Sequence, residues 1–264
     1  MHISNLIKTA IEASKKAGKI LKKGYYSLPK IIKHKQGQYH NIVTETDLKA
    51  EKTIISHIGK KYKNHNFICE ESGNIEKSSS LFQWIIDPLD GTVNFSRKIP
   101  YFCVSIGIKK NHEIIGGVVY NPIMEELFVA EKGKGAYLNK KRIKVSDTSN
   151  ILHALIAMGS PYNLKSNPEN CIEKSGEILR LGVPIRRMGA AALDFSYIAS
   201  SRFDVYFETN LKPWDCAAGK CIIEEAGGKF TNWKGEPFKL SNYNSILATN
   251  RKLHKKVLDI FGKE

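Results

Sequence analysis

No apolar stretch in the 264 residues approaches the roughly 20 that a bilayer-spanning helix needs, which argues against a membrane anchor. Nor does the start, Met1-His2-Ile3-Ser4-Asn5, show a basic stretch leading into an apolar core, so no secretory signal is expected. Cysteine is sparse: Cys69, Cys103, Cys171, Cys216 and Cys221 are an odd number without paired metal-ligand spacing. They read as reduced thiols of a cytoplasmic protein rather than a disulfide framework or a zinc cage. Internal repeats and low-complexity linkers are absent too. Acidic residues are few beside basic ones, 26 against 41, for a net charge of +15. What remains is ordinary globular composition, 42% hydrophobic and 25% charged, enough for one large domain or two modest subdomains.

The positive charge is unevenly placed. Residues 1–64 hold 14 lysines, no arginine and four acidic residues (Glu12, Glu45, Asp47 and Glu51), a surplus of ten out of fifteen. Such a balance suits nucleic acid, an acidic membrane surface or an anionic substrate. Only four tyrosines (Tyr25, Tyr26, Tyr39 and Tyr62) and no Phe or Trp accompany these lysines, so a solvated lysine-rich face is the favoured reading and nucleic acid the alternative.

Leu6, Ile7, Ala10, Ile11, Ala17, Ile20 and Leu21 recur at helical spacing over residues 4–23. A second helix opens at Asp47, with Leu48, Ile54, Ile55 and Ile58 as its stripe. Residues 66–69 and 82–86 read as short buried strands, and residues 101–129 as strands joined in hairpins. Beyond about residue 150 strands and helices alternate: a strand over 152–158, helices over 168–181 and 189–200, a strand over 205–207 and a helix over 217–226. That order predicts an α/β second half, with a soft seam near residue 146.

Carboxylates cluster at predicted strand ends. Asp87-Pro88-Leu89-Asp90-Gly91-Thr92 follows a buried strand, so both aspartates emerge at the sheet edge. Pro88 fixes the turn and Gly91 allows the backbone close to a ligand. Two carboxylates so near repel unless a cation lies between them, and the lack of accompanying His or Cys favours a hard, oxygen-seeking ion. An Asx turn capping a helix at Gly91-Thr92 explains the same residues without any ligand. Glu70-Glu71 ends another strand, and Asp215 stands at the start of a small-residue helix, where it could serve only as an N-cap.

Trp84-Ile85-Ile86-Asp87-Pro88-Leu89-Asp90-Gly91-Thr92-Val93-Asn94-Phe95 resembles the first signature of the inositol monophosphatase family, and the stretch from Trp214-Asp215 to Gly227-Gly228 resembles its second. Val43-Thr44-Glu45-Thr46-Asp47, Glu70-Glu71, Gly189-Ala190-Ala191 and Glu208 fall in family order, so the resemblance spans nearly the whole chain. It implies an α/β fold, a layered αβαβα sandwich of the sugar-phosphatase type, with residues 1–145 and 146–264 as subdomains. It also implies a homodimer, a need for Mg²⁺ and sensitivity to Li⁺. One Mg²⁺ would be held by Glu70, Asp87, the Leu89 carbonyl and Thr92. A second would be held by Asp87, Asp90 and Asp215, and a weaker third would lie near Glu70. Glu70 and Thr92 would activate the attacking water, with Asp47 polarising Thr92. The N–H groups of Gly91 and Thr92 would cradle phosphate, a role a helix N-terminus suits. Asp90, the Ala191 backbone and Glu208 would recognise the alcohol, and Glu71 would stand behind the metal ligands. Asn41 departs from the pattern, since relatives have an acidic residue there. The implied reaction is hydrolysis of myo-inositol 1-phosphate. Fructose 1,6-bisphosphate, histidinol phosphate and 3′-phosphoadenosine 5′-phosphate are alternatives that the shared metal motifs do not separate.

Overall fold

Ser4 caps the first helix, its hydroxyl accepting from the Ile7 N–H, and the apolar residues spaced along the helix bury against a sheet. The structure is a computed structural model that describes residues 2–27, 31–34, 42–161, 164–240 and 245–262. In chain order its first half comprises α1 (Asn5–Tyr26), β1 (Ile31–His34), β2 (Ile42–Thr44), α2 (Glu45–Lys61), β3 (Asn66–Cys69), β4 (Gly73–Ile75), β5 (Phe82–Asp90), α3 (Thr92–Ser96), β6 (Cys103–Lys110), β7 (Glu113–Asn121), β8 (Glu126–Glu131), β9 (Gly135–Leu138) and β10 (Lys141–Ile143). The second half comprises β11 (Ile156–Met158), α4 (Cys171–Arg180), β12 (Ile185–Arg186), α5 (Ala191–Ala199), β13 (Val205–Thr209), α6 (Pro213–Glu225), β14 (Lys229–Thr231), β15 (Ser245–Thr249) and α7 (His254–Phe261). Asn41 lies outside the described residues.

Eight strands form one sheet in the order β10-β9-β8-β7-β6-β5-β3-β4, and five form another in the order β12-β11-β13-β15-β14. Helices α1 and α2 cover the outer face of the first sheet, α5 and α6 fill the space between the sheets, and α4 and α7 cover the second sheet. This is the αβαβα sandwich that the resemblance implied. Three apolar cores follow from the layering. Trp84, Phe67 and Ile54 lie in the first, Phe195, Tyr206 and Phe230 in the middle one, and Phe207, Trp233 and Phe261 in the third. Trp84 is fully buried and donates its indole N–H to His65 Nδ1 at 3.0 Å, so its one polar atom is satisfied. Among the described residues no helix is long and apolar enough to cross a membrane. All five cysteines are buried and unpaired in disulfides.

Several element boundaries differ from the sequence expectation. The second helix begins at Glu45, because Thr44 caps it and Asp47 closes the capping box two residues inside. Residues 151–153 form a 3₁₀ turn, capped by the Asn150 side chain, and only Ile156–Met158 are strand. Helix α4 starts at Cys171, since Asn167, Glu169 and Asn170 adopt left-handed backbone that interrupts the helical pattern. Helix α6 begins at Pro213, four residues before the predicted start, with proline in its first turn, where no donor is lost. Strand β13 runs on to Thr209, so Glu208 lies within it rather than past its end. Strands β14 and β15 and helix α7 carried no sequence expectation.

Candidate active site

Strand alternation would send Asp87 and Asp90, three residues apart, to opposite faces of β5. The register prevents this. Asp87 pairs with Ser105 and Asp90 with Cys103, so three steps on β5 match two on β6. This bulge re-aims the strand end and brings both carboxylates into one region. Pro88 sits inside it, where a missing N–H disturbs no ladder bond. Leu89 N–H donates to Asp87 Oδ1 at 2.9 Å, an Asx turn that holds Asp87 in place; it is not the expected helix cap, since α3 starts from Gly91 without a side-chain cap. Gly91 has φ +90°, and a Cβ there would meet the Tyr101 carbonyl at 2.9 Å and Ala190 Cβ at 3.1 Å. Only glycine fits that turn. Helix α3, which follows, is five residues long, so its dipole is small.

Three other segments converge on this strand end. Glu70 extends the pairing of β3 with β5, its N–H donating to the Ile86 carbonyl at 3.1 Å. The turn after it is anchored by Glu51 of α2, which is 2% exposed and accepts from the Glu71 N–H at 2.9 Å and from the Ser72 hydroxyl. One α2 turn earlier, Asp47 is fully buried. Its Oδ2 accepts from the Thr44 N–H and hydroxyl, and its Oδ1 faces the Thr92 hydroxyl at 3.4 Å. Thr92 Oγ1 also reaches the Leu89 carbonyl at 3.0 Å. Asp215 lies in the first turn of α6, where its Oδ2 accepts from the Lys212 N–H at 2.6 Å. That turn is tied to the sheet by Ser105 Oγ, which donates to the Trp214 carbonyl at 3.3 Å.

On the far side, Asp90 Oδ2 accepts from the Ala192 N–H at 2.7 Å. The first turn of α5 is therefore engaged with a protein carboxylate, with Ala191 beside it. Half-buried Glu208 accepts from the Tyr206 hydroxyl two residues back on the same strand face. Asp194 of α5, 1% exposed, accepts from the Tyr101 hydroxyl at 2.8 Å.

The electrostatics of this cluster are unusual for a protein of net charge +15. Burial raises Asp47 to about 7, with Glu70 and Glu71 adding to the shift against the Thr44 hydrogen bond. Burial likewise lifts Asp90 to about 7, opposed by the Ala192 N–H and reinforced by Glu70. Glu208 is lifted to about 7 by burial, against the Tyr206 hydroxyl and the Arg187 charge. Asp87 and Asp215 are driven well above the carboxylate range by burial first and by their acidic neighbours next. Glu70 stands first among the acidic neighbours that add to the burial of Asp87.

Glu70, Asp87, Asp90 and Asp215 thus act on one another electrostatically, with Glu208, Asp47 and Thr92 around them. Among the described residues no group of three or more His, Cys, Asp or Glu side chains is placed to hold a metal ion as it stands. The donor set is nonetheless oxygen-only, acidic and desolvated, which fits a hard divalent cation and not zinc or copper. Sequence reasoning assigned no role to Thr44, Glu51, Asn94, Tyr101, Asp194 or Tyr206. Two of these had a readable signal: Thr44 three residues before Asp47 is a capping pattern, and Tyr206 shares a strand face with Glu208.

A layered αβαβα sandwich with oxygen-only carboxylates at its strand ends defines a protein of the sugar-phosphatase architecture. Residues 2–264 match the inositol monophosphatase family. Inositol-1-monophosphatase of Caulobacter vibrioides is 38% identical over 251 residues, covering 94% of this chain and 98% of that one. Nus factor SuhB of Escherichia coli K12 is 37% identical over 253 residues, covering 96% and 94%. The crystal structure of extragenic suppressor protein suhB from Bartonella henselae superposes with a TM-score of 0.92 at 35% identity, covering 98% of this chain and 99% of that one. The chain belongs to the inositol monophosphatase family, and its membership makes it a phosphatase.

Proposed function

We propose that this protein hydrolyses myo-inositol 1-phosphate to inositol and phosphate with Mg²⁺ as its cofactor, two or three ions per site. The observation that carries the reading is the convergence of Glu70, Asp87, Asp90 and Asp215, the three aspartates raised by burial and by their acidic neighbours, with a Cys103 thiol that burial keeps protonated as the nearest sulfur. Glu70, Asp87, the Leu89 carbonyl and Thr92 would hold one ion, Asp87, Asp90 and Asp215 a second, with a weaker third near Glu70. Bound Mg²⁺ supplies an acidified water and positive charge for phosphate and the leaving oxygen. Glu70 takes the proton of the attacking water. Thr92 orients that water, and its own hydroxyl is aligned by Asp47. The N–H groups of Gly91 and Thr92 bind phosphate oxygens. Asp90, the Ala191 backbone and Glu208 hold the alcohol, and Glu71 supports the turn behind Glu70. The catalytic set is then Glu70, Thr92 and Asp47.

A panel of inositol 1-phosphate, fructose 1,6-bisphosphate, histidinol phosphate and 3′-phosphoadenosine 5′-phosphate, assayed for released phosphate, tests the substrate. Excess EDTA should abolish release and Mg²⁺ should restore it, with Ca²⁺ a poor substitute because its coordination is longer and looser. Full activity in EDTA would refute the mechanism. Asp90→Asn should cost on the order of 10²-fold in kcat. Family membership also supports a cytoplasmic, Li⁺-sensitive homodimer, which sedimentation and Li⁺ titration of activity would test. The subdomain seam near residue 146 belongs to the same reading.

A second reading, binding of nucleic acid, draws on the surplus of ten positive charges in residues 1–64 and on relatives named Nus factor SuhB. Lys15, Lys16 and Lys19 of α1 and Lys52 of α2 are exposed. Binding to RNA that weakens steeply with salt would support it, and phosphatase activity is compatible with it.

A further inference from the structure

Asn94 lies in α3, four residues beyond Asp90, and is buried with 9% of its surface exposed. Its Nδ2 donates to the Tyr101 carbonyl and to the Met188 carbonyl, both at 2.8 Å. Both partners only accept, so the nitrogen must face them, and its two hydrogens are both used. The two carbonyls come from segments far apart in sequence. Tyr101 leads into β6. Met188 leads through Gly189 and Ala190 into α5, whose Ala192 N–H is the donor to Asp90 Oδ2. Tyr101 makes a second link to the same helix, its hydroxyl donating to Asp194 at 2.8 Å. The start of α5 is therefore tied down from two sides, and both ties pass through Asn94 or its direct partner.

Resting on the phosphatase reading above, we propose that Asn94 is a positioning residue whose amide holds the start of α5 against Asp90. It touches neither substrate nor metal in this role. It sets the distance over which the Ala192 N–H meets Asp90 Oδ2, and so the direction in which the other oxygen of Asp90 points. A one-residue slip of the 188–190 segment would take from Asp90 Oδ2 its 2.7 Å backbone donor and leave it the longer Cys103 Sγ contact at 3.8 Å. Pairing of β5 with β6 resumes at Asp90, opposite Cys103, and fixes the backbone there, so the slip acts on the side chain.

Asn94→Asp keeps the size and turns the double donor into an acceptor facing two carbonyl oxygens. Asn94→Ala removes the donor and leaves a small void. If donation is what matters, Asp is the worse change. If volume is what matters, Ala is. The expected loss in kcat/KM for inositol 1-phosphate is about tenfold or more for Asn94→Asp, the scale of a lost buried hydrogen bond, and smaller for Asn94→Ala.

A double-mutant cycle with Asp90→Asn separates positioning from general damage. Action through Asp90 makes the two changes strongly non-additive, so that Asn94→Asp costs little once Asp90 is already Asn. The same cycle read as Mg²⁺ affinity by calorimetry needs no turnover, and there Asn94→Asp should weaken binding about tenfold in the wild-type background only. Should Asn94→Asp fail to fold, the Asn94→Ala cycle carries the same coupling at smaller amplitude. Additive losses in both readouts, or Asn94→Ala worse than Asn94→Asp, would overturn the assignment. Wild-type protein that binds Mg²⁺ yet releases no phosphate would instead sink the phosphatase reading and leave the calorimetric cycle to judge Asn94.

Discussion

Gly117 of β7 lies opposite Gly107 of β6, and helix α6 passes directly over the pair. A Cβ on Gly117 would lie 2.4 Å from the Ala218 carbonyl oxygen and 2.8 Å from Ala218 Cα. Non-bonded heavy atoms settle at about 3.5 Å, so in Gly117→Ala helix α6 must retreat by about 1 Å. The obstacle is backbone, so no side-chain rotation relieves it. Asp215 stands three residues from Ala218 on the same helix and moves with it. Overpacking of this kind costs about 1–3 kcal/mol, and in a chain of this length each kcal/mol lowers Tm by about 2–4 °C. A displacement of about 1 Å in a catalytic constellation costs up to about 10²-fold in rate. Gly117→Ala should therefore lower Tm by several degrees in a thermal melt, and lower kcat for inositol 1-phosphate by a larger proportion than a surface change would. Gly59→Ala in α2 is the control. Its Cβ would meet only the flexible Lys77 Nζ at 3.4 Å, and replacing a helical glycine gains about 0.5–1 kcal/mol. That variant should melt higher with unchanged kcat. A Gly117→Ala protein as stable and active as wild type would refute the claim that this contact seats α6.

Glu208→Ala should reduce kcat/KM for inositol 1-phosphate by about ten- to a hundredfold, chiefly through KM, since a hydrogen bond to a charged group is worth about 1.5–3 kcal/mol in ground and transition states alike. Hydrolysis of p-nitrophenyl phosphate should hardly change, and equal losses on both esters would assign Glu208 to the fold or the metals. Replacing Lys15, Lys19 and Lys22 by Gln should leave turnover nearly unchanged, because the first two are exposed and the Lys22–Glu125 pair at 2.9 Å is solvated; a fall in kcat/KM that tracks ionic strength would show steering of the anionic substrate instead. Asp47, Asp90 and Glu208 have folded-state values near 7 and ordinary values near 4, so folding takes up protons between those pH values. Metal-free protein should then lose stability as pH rises from about 4 to about 7, and Mg²⁺ should raise Tm more at pH 7.5 than at pH 5.5. An equal Mg²⁺ effect at both pH values would contradict that linkage.

Much of the site was legible because its pieces are local. Asp87-Pro88-Leu89-Asp90-Gly91-Thr92 announces a strand that stops, turns and presents carboxylates within six residues. Apolar periodicity placed α1 and the stripe of α2, since a helix that buries one face must repeat near 3.6 residues. The acidic groups at strand ends in a basic chain pointed to a hard cation without any coordinates. Short elements were misjudged where local geometry overrode pattern: left-handed residues at Asn167 and Asn170 delayed α4, and the proline-led turn at Lys212–Pro213 advanced α6.

The sequence alone pointed to a set of carboxylates and to the element ends near which they emerge. Tertiary structure decided their mutual arrangement. No spacing rule reveals that a bulge turns Asp87 and Asp90 to the same side, that Glu51 holds the turn behind Glu70, or that Asn94 joins β6 to α5. The Glu51–Glu71, Asn94–Met188 and Asp90–Ala192 contacts link residues between 20 and 102 positions apart. Their geometry depends on how sheets and helices stack, which no local window of residues contains. The raised carboxylates have the same origin, because each owes its shift first to burial that the packed layers create. An aspartate's type is written in the chain, but its neighbours and its distance from water exist only in the fold.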